Sequence, residues 1–182
     1  MSDVRNFIGA GLRDLKLRLS TGEVIDCYGA VSAEGAPKVD GTDVKGDDAL
    51  LGTFNSSISE DFTAVLHGLT FDAIQAITGN TAASSATGST IPLGTDSELS
   101  APFVEVQSFT VAKTKDGAAA YIKKTWRKVQ INSLQVSQQG EKEFTATLEG
   151  VALQTALDIT GVTLTPKRIA DIEGVVGTYT AS

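Results

Sequence analysis

The sequence predicts an all-β protein with one short flanking helix, in which two antiparallel sheets form a β-sandwich or a partial barrel. Several segments alternate between apolar and polar residues, which is typical of half-buried strands. One segment carries the period and the end signals of a helix. The 182 residues suffice for one well-cored domain and are few for two, so residues 1–182 are treated as a single domain.

The first predicted element is a hairpin that follows an N-terminal arm. Residues 1–11 are predicted to be an arm, and the Gly-Ala-Gly sequence at its end is predicted to be a flexible hinge. A strand follows them, with charged side chains on one face and apolar side chains on the other. Its apolar positions are Leu15, Leu17 and Leu19. Residues 20–23 favour a turn into a second strand over residues 24–28.

A strand in the middle of the chain has one apolar face. The positions of that face are Ile58, Phe62, Ala64 and Leu66, and their shared parity predicts that they are buried. Glu60 has the same parity. We expect its side chain to reach solvent, because it lies near the start of the strand.

This strand leads into the one predicted helix, residues 70–79. Thr70 is placed to be its N-cap, and Gly79 can take the left-handed conformation that often ends a helix. A stripe of apolar residues is predicted to face the sheet, namely Phe71, Ile74 and Ile77. A helix of this length is not stable alone, so it must pack against the strands around it.

Two segments lack any sustained periodicity. Residues 29–48 are rich in glycine and acidic residues, and residues 80–101 are small and polar with a proline at position 92. Both exceed the usual length of a connection, so the sequence predicts two long loops. We expect these loops either to be disordered or to become ordered against another molecule.

The second half of the chain is predicted to be mostly strand. Residues 103–112 are rich in Val, Phe and Thr, and the Asp-Gly pair at residues 116 and 117 favours a turn. Long strands follow over residues 121–138 and 144–153. The apolar parity changes near Asn132 and Ser133 in the first of them and at Gly150 in the second. Both strands are therefore expected to bend midway, which lets a sheet curl.

Composition and charge limit the classes of function. The net charge of −7 argues against tight, non-specific binding to nucleic acid, which requires Lys and Arg. Cys27 is the only cysteine, so an intrachain disulfide is impossible, and it is predicted to pack as a small apolar residue. The N-terminus lacks the apolar run of a secretory signal, and no segment has the length needed to cross a bilayer. We therefore expect the protein to be made in the cytoplasm.

The usual catalytic constellations are not present in the sequence. His67 is the only histidine, and the alternation of its strand places it outward. The glycine-rich segments contain neither a dinucleotide-binding fingerprint nor a Walker lysine. The sequence therefore predicts a non-enzyme without cofactor. The acidic residues 40–48 leave calcium binding open as an alternative to a solvated loop, but they lack EF-hand spacing, and no metal site is assigned.

Two runs of opposite charge are the candidate interface residues. The acidic run consists of Asp40, Asp43, Asp47 and Asp48, and the basic run consists of Lys113, Lys115, Lys123, Lys124, Arg127 and Lys128. When two different surfaces of one molecule bind each other, the repeated contact generates a ring or a filament. The acidic run of one copy is therefore predicted to meet the basic run of another. The alternative for the basic run is a solvated edge strand that lysines protect from unwanted pairing. Trp126, inside this run, is expected to be buried in a core or an interface.

Three segments together carry a family resemblance. An acidic entry KGDDALLGTF, a strand SEDFTAVLHGL and a short helix AIQAITG resemble the major tail tube protein of long-tailed bacteriophages. The later segment YIKKTWRKVQINSLQVSQQGEKEFTATLEGVAL is similar to the late strand pair of that family. The resemblance implies a structural virion protein that assembles into stacked hexameric rings in the host cytoplasm. The tube would contact other tail proteins at its ends, and viral DNA would pass through its channel at ejection without sequence-specific binding.

Two other classes stay open at this stage. A monomeric β-sandwich used for adhesion or carbohydrate binding would share the strand pattern, with Trp126 and Tyr121 as a sugar platform. A lipocalin-like or enzymatic barrel is less favoured, because the sequence suggests neither a polar catalytic cluster nor an aromatic-lined pocket.

Overall fold

The computed structural model of the protein describes residues 7–27, 29–46, 49–85, 87–96, 100–137 and 145–180. At residues 7–10, 40–46, 49–56 and 85 it describes the backbone alone. Within these ranges the chain is mostly β-strand with one short helix, so the predicted all-β class is confirmed.

The strands and the helix follow one another as twelve strands with α1 between the fourth and the fifth. They are β1 (Phe7–Arg18), β2 (Val24–Cys27), β3 (Ala30–Gly46), β4 (Ala49–Leu66), α1 (Phe71–Thr78), β5 (Ala83–Ser85), β6 (Gly88–Thr90), β7 (Phe103–Thr114), β8 (Ala119–Ser137), β9 (Thr145–Leu153), β10 (Thr155–Leu157), β11 (Thr163–Arg168) and β12 (Ala170–Val176).

Eight of these strands form one antiparallel sheet in the order β2-β1-β7-β8-β9-β4-β3, with β12 paired to β8. Strand β8 is its centre. Along one edge β8 pairs with β7, and along the other it pairs first with β12 over residues 120–126 and then with β9 over residues 129–137. The remaining strands form two small hairpins, β5-β6 and β10-β11.

The large sheet curls toward closure. Strands β2 and β3 lie at opposite ends of the strand order, yet only two residues separate Cys27 from Ala30. Because two residues span about 11 Å at most between their neighbours, the two ends of the sheet must lie close together. Strands β1 and β3 also contact each other. The sheet is therefore a partial barrel around one core.

The core lies inside this curl. Its largest fully buried side chains come from six strands and from α1, and they include Trp126, Phe62, Leu15, Leu17, Leu66 and Leu148. The rings of Phe62 and Trp126 meet edge to face, with their centroids 5.1 Å apart. Such a contact adds about 1 kcal/mol to the free energy of burial, so this pair joins β4 firmly to β8.

The predicted hairpin is confirmed, but the predicted arm is wrong in part. Strands β1 and β2 pair from Leu15 with Cys27 to Arg18 with Val24. The Gly-Ala-Gly sequence was predicted to be a hinge, yet β1 already begins at Phe7 and pairs with β7 through this stretch. The glycines coincide with irregular register, which glycine tolerates, so the strand continues through them. Residues 1–6 lie outside the described residues.

Both ends of the predicted helix are confirmed. The Thr70 hydroxyl accepts a hydrogen bond from the Ala73 backbone N–H at 3.1 Å, and Gly79 has the left-handed φ of 73°. The predicted buried stripe is confirmed at Ile77 and wrong at Phe71, which is 44% exposed. The buried apolar face of α1 consists of Ile77 together with the small residues Ala73 and Ala76.

The predicted bend in the two late strands is confirmed. Ile131 pairs with Gly150 and Ser133 pairs with Glu149, so Asn132 is the extra residue of a β-bulge. A Cβ atom at Gly150 would lie 2.2 Å from the Gln130 carbonyl oxygen. Glycine is therefore the residue that allows the two backbones to approach at the bend.

The two predicted loops have different outcomes. Residues 29–48 were predicted to be a loop, and this is wrong, because β3 pairs with β4 from Ala30 to Gly46. In residues 80–101 the structure shows the small β5-β6 hairpin. The Asn80 side chain holds the following chain by donating to the Pro92 carbonyl oxygen at 2.8 Å and by accepting from the Thr95 hydroxyl at 2.6 Å.

Candidate subunit interface

Strands β3 and β4 extend beyond the sheet as a two-stranded ribbon. Strand β9 pairs with β4 only from Ser59 to Leu66. The ribbon, defined here as residues 39–46 and 49–58, pairs only with itself among the described strands. About ten residues of strand span about 30 Å, so the ribbon is long enough to reach a neighbouring molecule.

Two of the four predicted acidic residues belong to this ribbon. Asp40 and Asp43 lie in β3, where the structure describes the backbone alone. Asp47 and Asp48 lie outside the described residues, between β3 and β4. Their role as interface residues, and the calcium alternative for the same segment, stay predictions.

The predicted basic residues divide into two groups. Lys113 and Lys115 are exposed at the turn between β7 and β8. Lys123 and Lys128 are half-buried and lie over aromatic rings, with the Lys123 Nζ 5.7 Å from the centre of Phe109 and the Lys128 Nζ 4.3 Å from the centre of Phe103. These four residues stay candidates for a contact with another copy.

Lys124 and Arg127 instead form ion pairs within the chain. The Lys124 Nζ lies 2.8 Å from Glu60 Oε1 and 4.2 Å from the centre of the Trp126 ring. Strand β8 pairs on both of its edges, so the alternative of a solvated edge strand is wrong.

Glu60 was expected to reach solvent, and this prediction is wrong. Its exposed fraction is only 7%, and its Oε1 accepts hydrogen bonds from the Trp126 Nε1 at 2.9 Å and the Lys124 Nζ at 2.8 Å. Gly35 leaves room for the carboxylate, since a Cβ atom there would lie 1.6 Å from Oε1. The buried charge is compensated by the lysine and by both hydrogen bonds.

Ile58 is a further correction on the same strand. It was predicted to be buried with Phe62, but it is 43% exposed. Ile58 lies one residue beyond Ser59, where β9 stops covering β4. An apolar residue with the parity of the buried face therefore lies in the ribbon, although the buried core ends before it.

A second charged cluster surrounds Glu105, which is fully buried. The Arg127 Nη1 lies 3.0 Å from Glu105 Oε2, and the Gln107 Nε2 donates to Oε1 at 2.7 Å. Arg127 also pairs with Asp171 on β12, with its Nη2 2.6 Å from Oδ2. Burial lowers the pKa of Arg127, but the hydrogen bonds to Asp171 and Glu105 outweigh it and raise the pKa above its ordinary value.

Three aromatic rings hold the C-terminal segment on the outer face of the sheet. The Tyr179 ring stacks on Phe109 at a centroid distance of 4.7 Å and meets Tyr121 edge to face at 5.4 Å. The Tyr179 hydroxyl donates a short hydrogen bond to Asp14 Oδ2. Burial and the Asp14 carboxylate raise the pKa of Tyr179. These contacts join the C-terminal segment to β1, β7 and β8.

The structure also shows the surroundings of four other side chains considered from the sequence, namely Trp126, Tyr121, Cys27 and His67. Trp126 is fully buried, as expected, and Tyr121 packs between Phe109 and Tyr179. Cys27 is also fully buried, and burial raises the pKa of its thiol to about 12. His67 is exposed, as the alternation predicted.

Sequence reasoning missed the structural importance of Glu60, Glu105 and Tyr179. Glu60 has the parity of the buried face, and this parity was the one indication available. Its two partners lie 64 and 66 residues further along the chain, so local sequence does not identify them. Glu105 lies in a strand with buried residues on both faces, where alternation carries no information.

Two general features of the described chain bear on function. Among the described side chains, no group of three or more His, Cys, Asp or Glu residues is arranged to hold a metal ion. No helix in the described ranges has the length and apolar character needed to span a membrane.

Comparison with models of protein families and with curated proteins gives no match for this chain.

Proposed function

We propose that this protein is the structural subunit of a bacteriophage tail tube, which self-assembles into stacked hexameric rings around the channel for viral DNA. The observation that carries the proposal is the β3–β4 ribbon. The ribbon extends beyond Ser59, where β9 stops pairing with β4, and no other described strand pairs with it. A long ribbon with unpaired edges is a liability in a monomer and a means of assembly in a polymer.

The position of the ribbon favours contacts at one end of the molecule. Strand β4 leaves β9 at Ser59, and β3 and β4 then run away from α1 toward residues 46–49. The β7–β8 turn, with Lys113 and Lys115, lies at this same end, because β1, β4 and β8 run parallel, the turn comes directly before β8, and the ribbon contains the start of β4. An acidic ribbon that reaches the lysine-bearing turn of a neighbour would form a side-by-side contact between unlike surfaces, which repeats into a ring.

The charge of the chain is compatible with a conduit for DNA. The net charge of −7 does not favour phosphate binding, and two of the six predicted basic residues already pair with carboxylates inside the chain. A channel wall with an acidic bias would repel DNA and keep it from adhering during passage. The six-fold number, the ring stacking and the location in the virion tail come from the family resemblance.

The carbohydrate-binding alternative loses its proposed platform. A sugar platform requires an exposed aromatic face, but Trp126 is fully buried between Phe62 and Lys124. Tyr121 already contacts two other rings. No described residue therefore favours this alternative.

The experiment compares the wild-type chain with a ribbon-deletion variant. Replacing residues 41–56 by Asn-Gly would close the hairpin at the Asp40–Ser57 pair with a two-residue turn. We expect rings or tubes of the wild-type protein in negative-stain electron microscopy and a folded monomer of the variant in light scattering. Circular dichroism and thermal unfolding would show that the barrel of the variant is intact. A wild-type protein that remains monomeric at high concentration would overturn the proposal.

A further inference from the structure

We propose that residues 1–6 of one copy bind in a groove at the far end of a second copy, so that each subunit holds the next one by its N-terminal segment. This inference deepens the proposed self-assembly and rests on it in one respect, namely that copies associate head to tail. Three observations support the inference, namely the shape of the groove, the length of residues 1–6 and the charged residues of both the groove and the segment.

The groove consists of two adjoining clefts of about 330 and 430 Å³. They share Ser20, Pro102 and Phe103. The first cleft lies between the β1–β2 turn, α1 and the start of β7. Clefts of this size that combine apolar walls with a few polar groups are typical binding sites for small ligands and short segments.

The groove has an apolar floor and charged rims. Leu19, Ile25 and Ala76 line the first cleft together with Phe103. Exposed Glu23 and Asp72 lie on its rim. The second cleft is lined by Lys128, whose Nζ lies 4.3 Å from the centre of the Phe103 ring. The groove is therefore acidic at the end of Glu23 and Asp72, whereas its other end carries Lys128 and the paired Arg127 together with one acid, Asp158.

Residues 1–6 have the matching composition. Their sequence, MSDVRN, contains Asp3 and Arg5 on either side of Val4. Arg5 complements Glu23 and Asp72, and Asp3 complements Lys128. Val4 and Met1 supply apolar side chains for the floor. Complementary rim charges of this kind fix the register and direction of a bound segment.

The segment cannot reach the groove of its own chain. Phe7 pairs with Thr114, at the end of the sheet opposite Leu19 and Glu23. The twelve residues of β1 span about 40 Å, whereas six residues extend to about 22 Å at most. Binding therefore joins two copies, with the start of β1 in one copy next to the end of β1 in the other. Such a heterologous contact leaves both ends open and propagates as a stack.

The test is disulfide cross-linking between two singly substituted proteins. Val4→Cys places a thiol in the segment, and Gln75→Cys places one on the α1 wall of the groove. Native Cys27 is buried and contributes little background. The matched control pairs Val4→Cys with Asp116→Cys, an exposed position at the β7–β8 turn. After mild oxidation of each equimolar mixture, mass spectrometry of the linked peptides quantifies the products.

We expect the 4–75 cross-link to exceed the 4–116 cross-link about ten-fold, because the groove holds the segment at high effective concentration. Arg5→Glu should reduce the 4–75 product about five-fold or more, and Asp72→Lys in the second protein should restore part of it. Equal 4–75 and 4–116 products would overturn the inference.

The outcomes also separate this inference from the proposed function. Tubes in the microscope without the 4–75 product would refute the groove contact and leave the tail tube proposal standing. The 4–75 product in a protein that forms no rings or tubes would support a head-to-tail contact and refute the tail tube. Cross-linking of residue 75 to another segment of the second copy would show that the groove has a different occupant and would overturn the inference.

Discussion

The Trp126 indole Nε1 donates a hydrogen bond of 2.9 Å to Glu60 Oε1 in the interior of the curled sheet. This bond joins β8 to β4 at the level where β9 stops covering β4. The Lys124 ammonium reaches the same oxygen at 2.8 Å. A buried carboxylate thus lies where the barrel passes into the ribbon, and the integrity of this junction depends on three side chains.

Removing the Glu60 carboxylate should therefore destabilise the protein. Glu60→Ala leaves the Trp126 N–H without an acceptor and the Lys124 charge without its partner, at a cost of about 2–4 kcal/mol in the free energy of unfolding. Denaturation in urea would measure this cost. Glu34→Ala, at an exposed position on the neighbouring strand, is the matched control and should change stability by about 0.5 kcal/mol or less. Equal effects of the two substitutions would contradict the role of Glu60.

Gly35 should be energetically coupled to Glu60. Gly35→Ala places a Cβ atom 1.6 Å from the position of Glu60 Oε1, so the carboxylate must leave its two hydrogen-bond donors. We expect a large destabilisation in the wild-type background and a much smaller one in the Glu60→Ala background. The coupling free energy from this double-mutant cycle should be about 1–3 kcal/mol.

Gly150→Ala is the contrasting substitution for this cycle. Its Cβ atom would meet the Gln130 backbone at 2.2 Å, and removing the Glu60 side chain does not relieve that contact. Its cost should therefore be the same in both backgrounds. Additive free energies for Gly35 and Glu60 would show that the two residues do not compete for the same space.

Charge reversal at the β7–β8 turn should separate assembly from folding. Lys113→Glu with Lys115→Glu alters two exposed lysines, so the fold should be unchanged while association weakens about ten-fold or more. Reversal of Lys124 is a poorer test, because it also breaks the Glu60 pair. Light scattering at several salt concentrations measures the effect. The variant Arg13→Glu with Lys167→Glu changes the net charge equally at other exposed sites, and assembly that responds equally to both variants would contradict the prediction.

Tyr179 should contribute to stability in a pH-dependent way. Burial and the Asp14 carboxylate raise its pKa above the ordinary value of 10.0. The unfolded chain therefore loses the proton first, so the contribution is complete below pH 10 and is lost as the pH rises through the pKa of the folded state. Tyr179→Phe should cost about 1 kcal/mol at neutral pH and flatten the decline above pH 10.

The unfolding free energy of both proteins at pH 7 to 11 would provide the comparison. Cys27 also contributes to the pH dependence, because its thiol loses the proton over this range in the unfolded chain before it does so in the folded protein. Cys27 is present in both proteins, so the difference between them isolates Tyr179. Tyr179→Ala also removes the stack on Phe109 and should cost about 1–2 kcal/mol more than Tyr179→Phe. Parallel pH profiles for wild type and Tyr179→Phe would contradict the assignment.

The sequence allowed prediction of those features whose determinants are local. Thr70 and Gly79 specify the ends of α1 through their own hydroxyl and backbone. The bulge at Asn132 was predictable because both strands change parity at the same level, and parity directly reports which face is buried.

The features that escaped prediction depend on distant partners or on the absence of a core. Strand β3 was predicted to be a loop because apolar and polar residues alternate along a strand only where one face of the strand is buried. About half of β3 lies in the ribbon, beyond the part of β4 that pairs with β9, so no alternation is expected there. The first glycines suggested a hinge, although β7 pairs with that stretch of β1. Lys124 and Arg127 read as part of one basic surface because their carboxylate partners lie on other strands.

The glycine at the bend between β8 and β9 also has an evolutionary consequence. Position 150 tolerates no side chain while the Gln130 carbonyl keeps its place, so any descendant of this gene that retains the bulge must retain glycine there. Lineages that replace it would be expected to gain or lose a residue near position 132 at the same time. Such paired changes would allow distant kin to be recognised by a coincident insertion or deletion when overall similarity has disappeared.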